Sequence, residues 1–238
     1  MKKLLKKLLP SQFKQDVKDH LGVPSLSGLL KQLKQIGYTP KIVYDIGAYE
    51  GYWALDFQKV FPLAEVYMFE ALQSKAGRLS GLCSQNSKFR YNIALLGADE
   101  GLHVHFHESE TGSQVQRTES DRATNRITET LDSLAKKNNY PLPDFLKLDV
   151  QGYELEILKG GTDAVSNAEF CLLEVSLLDI GGGGGPLLKE VVNFMSEREF
   201  CPYDISQFIR RPYDKALWQI DMLFIKKSSP FIAEKRWR

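Results

Sequence analysis

Acidic residues close four predicted strands of this chain. Asp45 and Glu70 end the first two strands, and Asp149 and Glu174 end two later ones. The carboxyl ends of parallel strands meet at one edge of an open α/β sheet, where such sheets bind their ligands. Carboxylates at that edge can accept hydrogen bonds from hydroxyl groups or take protons from them. We therefore expect the four acids to converge on one crevice.

A glycine-bearing loop follows the first acid, with the spacing Asp45-x-Gly47-x-x-x-Gly51. Dinucleotide folds instead carry Gly-x-Gly-x-x-Gly, whose glycines let a helix N-terminus bind pyrophosphate. Asp45 would repel a phosphate and suits a cationic or amine-bearing ligand. Glu70 can accept both hydrogen bonds from a ribose diol. Together these features favour S-adenosylmethionine, although a buried turn with a capping aspartate is the structural alternative.

Methyl transfer to a hydroxyl needs close alignment and a group that removes or acidifies the hydroxyl proton. Asp149 and Glu174 end strands that we expect to be neighbours. We predict Asp149 to be the base or to orient the acceptor, with Glu174 in support. A Mg²⁺ ion shared by the two acids is the runner-up. The structural alternatives are a helix N-cap for Asp149 and an ion pair for Glu174.

Three histidines alternate along one predicted strand and therefore share one face. His103, His105 and His107 could bind zinc on that face. The favoured interpretation is a solvent-facing surface, with Val104 and Phe106 packing inward.

Two further segments have both a functional and a plain interpretation. The five consecutive glycines Gly181 to Gly185 follow the strand of Glu174 and fit either a substrate lid or a linker. Arg210 and Arg211 lie in a predicted hairpin turn. They fit a solvated turn better than a clamp on an anionic acceptor.

Composition and length exclude several classes of protein. The 238 residues suit one α/β domain, and the net charge of +1 gives no global sign of nucleic-acid binding. The three cysteines have no paired spacing, which favours a reducing compartment and a cytoplasmic protein. No apolar run approaches the length of a membrane span. The sequence is compatible with a homo-oligomer.

The first 20 residues differ from the rest, because they hold six lysines and two aspartates. Leu4, Leu5, Leu8 and Leu9 would share one helical face. The favoured interpretation is a helix that packs on the main domain or on a partner. The alternative is peripheral contact with an anionic inner membrane surface. We expect residues 1–38 to form a basic helical extension and residues 39–238 the main domain.

Alternating patterns predict a mainly parallel, doubly wound sheet that ends in an antiparallel hairpin. A polar stretch, 108–125, is expected to be a long surface loop, and 127–137 to be partly helical. The predicted helices cover 26–35, 53–61, 73–84, 152–159 and 186–198. The predicted strands cover 41–45, 65–70, 89–95, 102–107, 144–149, 170–175, 203–209 and 217–226.

The segment Phe145-Leu-Lys-Leu-Asp-Val-Gln-Gly-Tyr-Glu-Leu-Glu-Ile-Leu-Lys-Gly160 strongly resembles the FkbM-type methyltransferases. Their hallmark is similar to Lys-(Ile/Leu)-Asp-Val-(Glu/Gln)-Gly-x-Glu-x-x-x-Leu-x-Gly. The resemblance covers nearly the whole chain. It continues through Val43 to Gly51, Phe69-Glu70, Asn92 to Leu95, Thr130 to Asp132, Leu173 to Ser176 and Leu217 to Phe224.

This resemblance implies a Rossmann-like class I methyltransferase with a seven-stranded sheet. It also implies O-methyl transfer from S-adenosylmethionine, often to a hydroxyl of a sugar, glycan or polyketide. Family members usually differ from this chain at Tyr49, Glu50 and Ala71, which leaves details of the loops open. The implied cofactor-binding positions are Asp45, Gly47, Ala48, Tyr49, Gly51, Glu70, Ala71, Asn92 and Ala94.

Two rival functions come from other classes. The first is a nicotinamide oxidoreductase on the same type of sheet, which the acid at the phosphate position disfavours. The second is a non-catalytic membrane-surface or assembly module that retains the fold.

Overall fold

The structure is a computed structural model that describes residues 22–107, 114–116, 123–180 and 185–237. The predicted N-terminal helix and most of the glycine run lie outside these ranges. The α-helices are α1 Leu26–Gln35, α2 Tyr52–Val60, α3 Ala76–Gln85, α4 Leu131–Lys137, α5 Glu154–Lys159, α6 Thr162–Asn167 and α7 Leu188–Glu197. Short 3-10 helices cover Gln73–Lys75 and Pro230–Ile232. The strands are β1 Ile42–Ile46, β2 Glu65–Glu70, β3 Phe89–Ile93, β4 Leu95–Leu96, β5 His103–His107, β6 Gln114–Gln116, β7 Ala123–Glu129, β8 Phe145–Leu148, β9 Phe170–Ser176, β10 Phe200–Arg210 and β11 Leu217–Lys226.

A seven-stranded sheet has the order β10-β11-β9-β8-β1-β2-β3. The strands from β9 to β3 run parallel, while β11 is antiparallel to both β9 and β10. This topology confirms the predicted parallel sheet with an antiparallel C-terminal hairpin. Sequence order reverses between β1 and β8, and ligands bind at such switch points in open α/β sheets.

Both faces of the large sheet are covered, which explains why its central strands are apolar runs and not alternating patterns. One face packs with α4 to α7 around residues such as Tyr44, Leu146 and Leu173. The other face packs with α1, α2 and α3 around residues such as Val43 and Phe145. Helix α1 belongs to this second layer through its buried leucines Leu29, Leu30 and Leu33.

A second sheet, in the order β4-β7-β5-β6, was absent from the sequence-based prediction. The predicted loop 108–125 contains β6 and the first residues of β7, so that prediction was wrong. The helix predicted within 127–137 begins only at Leu131, after the Thr130 N-cap. The predicted strand 89–95 divides between β3 and β4. Strands β4 and β6 are short, and β6 and β7 carry mostly polar residues, so no sustained apolar period marks them.

Helix α6 was also missed, because its six residues are too few to show a helical period. Most other boundaries agree within two residues, as expected of helix and strand ends. Among the described residues, no helix is long and apolar enough to cross a membrane. The division of the chain at residue 38 stays a prediction.

Candidate functional site

A cavity of about 250 Å³ opens at the carboxyl edge of the large sheet. Its walls come from the loop after β1, the end of β2, the β3–β4 connection and the segment after β8. Phe106 of the second sheet closes one side. Six of the predicted site residues line the cavity: Gly47, Tyr49, Glu70, Ala71, Ala94 and Asp149.

The loop after β1 passes very close to the segment after β8. Gly47 has φ +75°, and a Cβ atom there would lie 2.0 Å from the backbone oxygen of Asp149. Only glycine fits such a position without a shift of the backbone. Gly51 also has φ +75°, and it is the N-cap residue of α2. Both predicted glycines are therefore required by local geometry.

Glu70, the last residue of β2, is buried and held by the backbone. Its Oε2 accepts from the N–H of Tyr49 at 2.7 Å, and its Oε1 accepts from the N–H of Leu72 at 2.8 Å. A carboxylate offers about four acceptor sites, so both oxygens retain capacity for further donors. Since Glu70 also lines the cavity, it can present a fixed carboxylate to a diol.

Asp45 does not line the cavity. The residue is fully buried in β1, and its Oδ1 lies 3.0 Å from the Lys147 ammonium of β8. Burial raises the pKa of Asp45, and Lys147 opposes that shift. Burial lowers the pKa of Lys147, but the charges of Asp45 and Asp149 outweigh it and raise the net value. Asp45 is thus already paired with a cation inside the protein, the Lys147 ammonium.

Asp149 follows β8 directly and lines the cavity with a side chain that is 44% exposed. The N-cap of α5 is Tyr153, so Asp149 does not cap the helix. The side-chain nitrogen of Gln151 donates to Asp149 Oδ1 at 3.1 Å and to Glu174 Oε2 at 2.9 Å. One amide therefore joins the two predicted catalytic acids.

Glu174 lies among other acids and not beside a cation. Its cross-strand neighbour on β11 is Asp221. Burial, followed by the charges of Asp149, Glu154 and Asp221, raises the pKa of Glu174 to about 9. Burial and the charge of Asp149 raise the pKa of Asp221 to about 6, although Lys147 opposes this. The surroundings of Glu174 therefore favour its protonated form, and they do not supply the ion pair of the structural alternative.

Glu154, in the first turn of α5, is a further buried acid beside this pair. Its Oε1 accepts from the N–H of Val150 at 3.0 Å and from the N–H of Gly152 at 3.2 Å. Burial raises its pKa to about 7, and these N–H donors oppose the shift. Glu154 thus holds the segment that connects Asp149 to α5.

The remaining predicted cofactor residues occupy different places. Ala71 and Ala94 line the cavity, whereas Ala48 is buried behind it. Asn92 does not line the cavity, because its amide nitrogen donates to the Tyr140 hydroxyl at 2.8 Å. The roles of these residues in cofactor binding stay predictions.

The FkbM methyltransferase domain matches residues 45–202, which is most of the chain. The chain belongs to this family. A Rossmann-like class I methyltransferase fold is consistent with the observed strand order and with membership of the FkbM family.

Individual relatives of this FkbM protein are more distant. A stretch of 66 residues is 36% identical to the hexuronic acid methyltransferase AglP of Haloferax volcanii, over 28% of this chain and 25% of that protein. The match thus spans about a quarter of the length of that relative.

Two solved structures match the chain at low sequence identity and with TM-scores below 0.5. Magnesium protoporphyrin IX methyltransferase from Synechocystis PCC 6803 is 10% identical, with a TM-score of 0.49 over 92% of this chain and 88% of that one. The 1,6-didemethyltoxoflavin-N1-methyltransferase from Burkholderia thailandensis is 12% identical, with a TM-score of 0.47 over 89% and 83%.

The other candidates from the sequence are the strand of three histidines and the turn with two arginines. Of their residues, only Phe106 lines the cavity of the FkbM domain. Phe106 packs inward from β5, as predicted. Of the three histidines on this strand, His103 is exposed, whereas His105 and His107 are half-buried. Arg211 pairs with Asp214 within its own hairpin turn, and Arg210 donates to the Lys215 carbonyl. Both arginines thus serve the turn itself.

The described residues contain no group of three or more His, Cys, Asp or Glu side chains that could hold a metal ion. Neither the zinc interpretation of the histidines nor the Mg²⁺ interpretation of Asp149 and Glu174 gains support. For the Mg²⁺ interpretation, the side chain that lies between Asp149 and Glu174 gives a physical reason. An amide N–H of Gln151 lies between the two carboxyl groups, whereas Mg²⁺ binds oxygen ligands.

Four residues of the site were not predicted individually: Lys147, Gln151, Glu154 and Asp221. All four lie within segments that carry the family resemblance, Asp221 in 217–224 and the other three in 145–160, so a usable signal was present. Asp221 is an acid between the apolar residues Ile220 and Met222 of β11. A single acid within an apolar strand is the feature that could have identified it.

Proposed function

We propose that this FkbM protein is an S-adenosylmethionine-dependent O-methyltransferase that acts on a hydroxyl of a sugar, glycan or related secondary metabolite. The observation that carries the proposal is one cavity lined by two acids with different environments. Glu70 is buried and fixed by two backbone donors, whereas Asp149 is accessible and linked to Glu174. The first suits a ribose, and the second suits a reacting hydroxyl.

The residues around Glu70 fit a nucleoside without phosphates. The Glu70 carboxylate would accept hydrogen bonds from the ribose hydroxyls, and the close approach at Gly47 leaves backbone rather than side chain at the cavity wall. Leu95, Leu96 and Phe106 provide an apolar wall for a base. When bound, S-adenosylmethionine supplies an activated methyl group on a positively charged sulfur. The acidic surroundings of Asp149 favour a positive charge nearby.

Asp149 would bind the acceptor hydroxyl and take its proton as the oxygen gains the methyl group. Its partly exposed carboxylate can reach an acceptor in the cavity. Glu174, whose surroundings favour the protonated form and which accepts from Gln151, would orient Asp149 without competing for the same proton. Alignment of this kind can contribute roughly 7–11 kcal/mol to catalysis.

Support for a carbohydrate acceptor comes from the short similarity to AglP, which is described as a hexuronic acid methyltransferase. The similarity covers too little of either protein to define the sugar. A cytoplasmic location, contact with the inner membrane surface through residues 1–20 and a homo-oligomer remain predictions from the sequence.

Calorimetry with S-adenosylhomocysteine and, separately, NAD tests the cofactor. We expect S-adenosylhomocysteine to bind with a micromolar dissociation constant and NAD not to bind. Binding of NAD alone would favour the rival oxidoreductase. Binding of neither would favour the non-catalytic module.

Mass spectrometry tests the acceptor class. Glycans and lipids from cells with and without the gene are compared for a lost methyl group. Cells that carry only Asp149→Asn should lose the same methyl group, because an amide cannot accept the proton. An unchanged methyl pattern in the Asp149→Asn cells, together with a change in the deletion, would exclude Asp149 as the base.

A further inference from the structure

Gln151 has an unusual backbone conformation for its residue type. Its φ is +58°, and that of the following Gly152 is +93°. A non-glycine residue with positive φ is uncommon outside Asn, Asp and His, and the strain persists only where the surroundings impose it. The conformation of Gln151 therefore needs a cause within the site.

Glu154 supplies that cause. Its buried carboxylate accepts from the N–H groups on either side of Gln151, those of Val150 and Gly152. Two donors on one oxygen close the segment into a tight turn around Gln151. A Cβ atom added at Gly152 would lie 3.5 Å from the Cα of Gly185, at the end of the glycine run.

The turn directs the Gln151 side chain toward the two predicted catalytic acids. A primary amide has two N–H donors, and here one nitrogen serves Asp149 at 3.1 Å and Glu174 at 2.9 Å. The two carboxyl groups come from adjacent parallel strands, and they would otherwise repel each other when both are ionised.

We propose that Gln151 is a positioning residue. Its side-chain amide fixes the separation of the Asp149 and Glu174 carboxyl groups, and Glu154 fixes the Gln151 backbone in the conformation that this requires. The catalytic meaning of the inference rests on the proposed methyl transfer. Reacting groups that are misplaced by about 1 Å can react roughly 100-fold more slowly. A residue that fixes the two carboxyl groups therefore helps to keep the reacting groups aligned.

The Gln151 amide also affects proton binding by the Glu174 carboxyl. The charged groups that act on Glu174 are Asp149 from the segment after β8, Glu154 from α5 and Asp221 from β11. The Gln151 N–H donates to the Glu174 carboxyl and so favours its ionised form. Loss of this donor should raise the pKa of Glu174 further.

The test replaces Gln151 by glycine and follows the Glu174 carboxyl by ¹³C NMR on glutamate-labelled protein. Glu174→Gln identifies the resonance by its disappearance. Glycine adopts positive φ without strain, so the fold should persist and the melting temperature should stay within about 3 °C. We expect the Glu174 midpoint to rise by about one pH unit, a tenfold change in proton affinity.

Gln151→Asn provides the second variant, and Gln73→Asn, an exposed position, is the matched control. Asparagine tolerates positive φ, but its side chain is one methylene shorter and cannot span both acids. The Glu174 midpoint should move in Gln151→Asn and not in Gln73→Asn. If both Gln151 variants retain the wild-type midpoint, Gln151 does not position the pair.

The titration needs neither cofactor nor acceptor. Failure of the wild-type protein to bind S-adenosylhomocysteine would overturn the proposed function and leave the titration result unaffected. An unchanged titration would overturn the role of Gln151 and leave the proposed function unaffected.

Discussion

The Lys147 ammonium and the Asp45 carboxylate form a buried ion pair at the switch point of the sheet, with 3.0 Å between Nζ and Oδ1. Lys147 also donates to the Gly47 carbonyl at 2.9 Å, and it lies 3.9 Å from Asp149 Oδ2. One lysine therefore links the first strand, the glycine loop and the predicted base. Asp45 is better explained as part of this support than as a direct ligand of a cationic group.

The first prediction concerns this pair. Lys147→Met should destabilise the protein by roughly 3–5 kcal/mol, because it leaves the Asp45 carboxylate buried without a cation. Urea denaturation measures the change. The double variant Asp45→Asn/Lys147→Met should recover part of the loss, since neither charge is then buried alone.

The matched control is Lys59→Met, which breaks an exposed ion pair with Asp56 of 2.7 Å. Surface pairs contribute about 0–1 kcal/mol, so this variant should have nearly wild-type stability. Equal losses in Lys147→Met and Lys59→Met would show that the buried pair has no special structural role.

The second prediction concerns Gly47. Gly47→Ala should destabilise the loop and weaken binding of S-adenosylhomocysteine by at least about tenfold. The added Cβ would lie 2.0 Å from the Asp149 oxygen at a φ of +75°. Gly77→Ala is the control, because Gly77 lies in α3 with open space around its Cβ position. That change should stabilise the protein by about 0.5–1 kcal/mol. Calorimetry and thermal melting of both variants give the comparison.

The large sheet and the switch point could be predicted from the sequence because their strands are buried on both faces. Strand β2 was predicted with its observed bounds, and so was β11. Apolar runs between turn signals are sufficient for such strands. The second sheet could not be predicted in this way, because β6 has only three residues and β4 only two.

The site was predictable at the level of strand ends, but its internal pairing was not. Sequence position indicates that Asp45 and Asp149 reach one edge of the sheet. It does not indicate that Lys147 points to the same face and neutralises Asp45, because this depends on the register between β1 and β8. The link between Asp149 and Glu174 likewise depends on the positive φ of Gln151, which no residue-type preference predicts.

The third prediction concerns Glu70. Glu70→Gln should weaken binding of S-adenosylhomocysteine by roughly 10- to 100-fold, because hydrogen bonds to a charged group contribute about 1.5–3 kcal/mol. Calorimetry measures the dissociation constant. Glu65→Gln is the control at the opposite end of the same strand, where the carboxylate accepts from the Tyr67 hydroxyl. Comparable losses in the two variants would indicate a general effect on β2 and not a contact with the ribose.

The fourth prediction concerns the proton on Glu174. Its pKa is raised to about 9 in the folded protein, whereas an unfolded glutamate has a pKa near 4.5. Between these values the folded state binds more protons than the unfolded state, so stability falls as pH rises. The contribution is complete below about pH 4.5 and is lost as pH rises through about 9.

Glu174→Gln should remove this dependence, because glutamine stays neutral and keeps a similar shape. At pH 8 the variant should exceed the wild type by at least about 1.4 kcal/mol, equivalent to one pKa unit and to about 3 °C in melting temperature. Below pH 5 the two proteins should converge. Glu190→Gln, at the exposed start of α7, serves as the control and should keep the wild-type slope. A parallel pH dependence in wild type and Glu174→Gln would mean that Glu174 is ionised in the folded protein, and Asp149 would then share its site with a second negative charge.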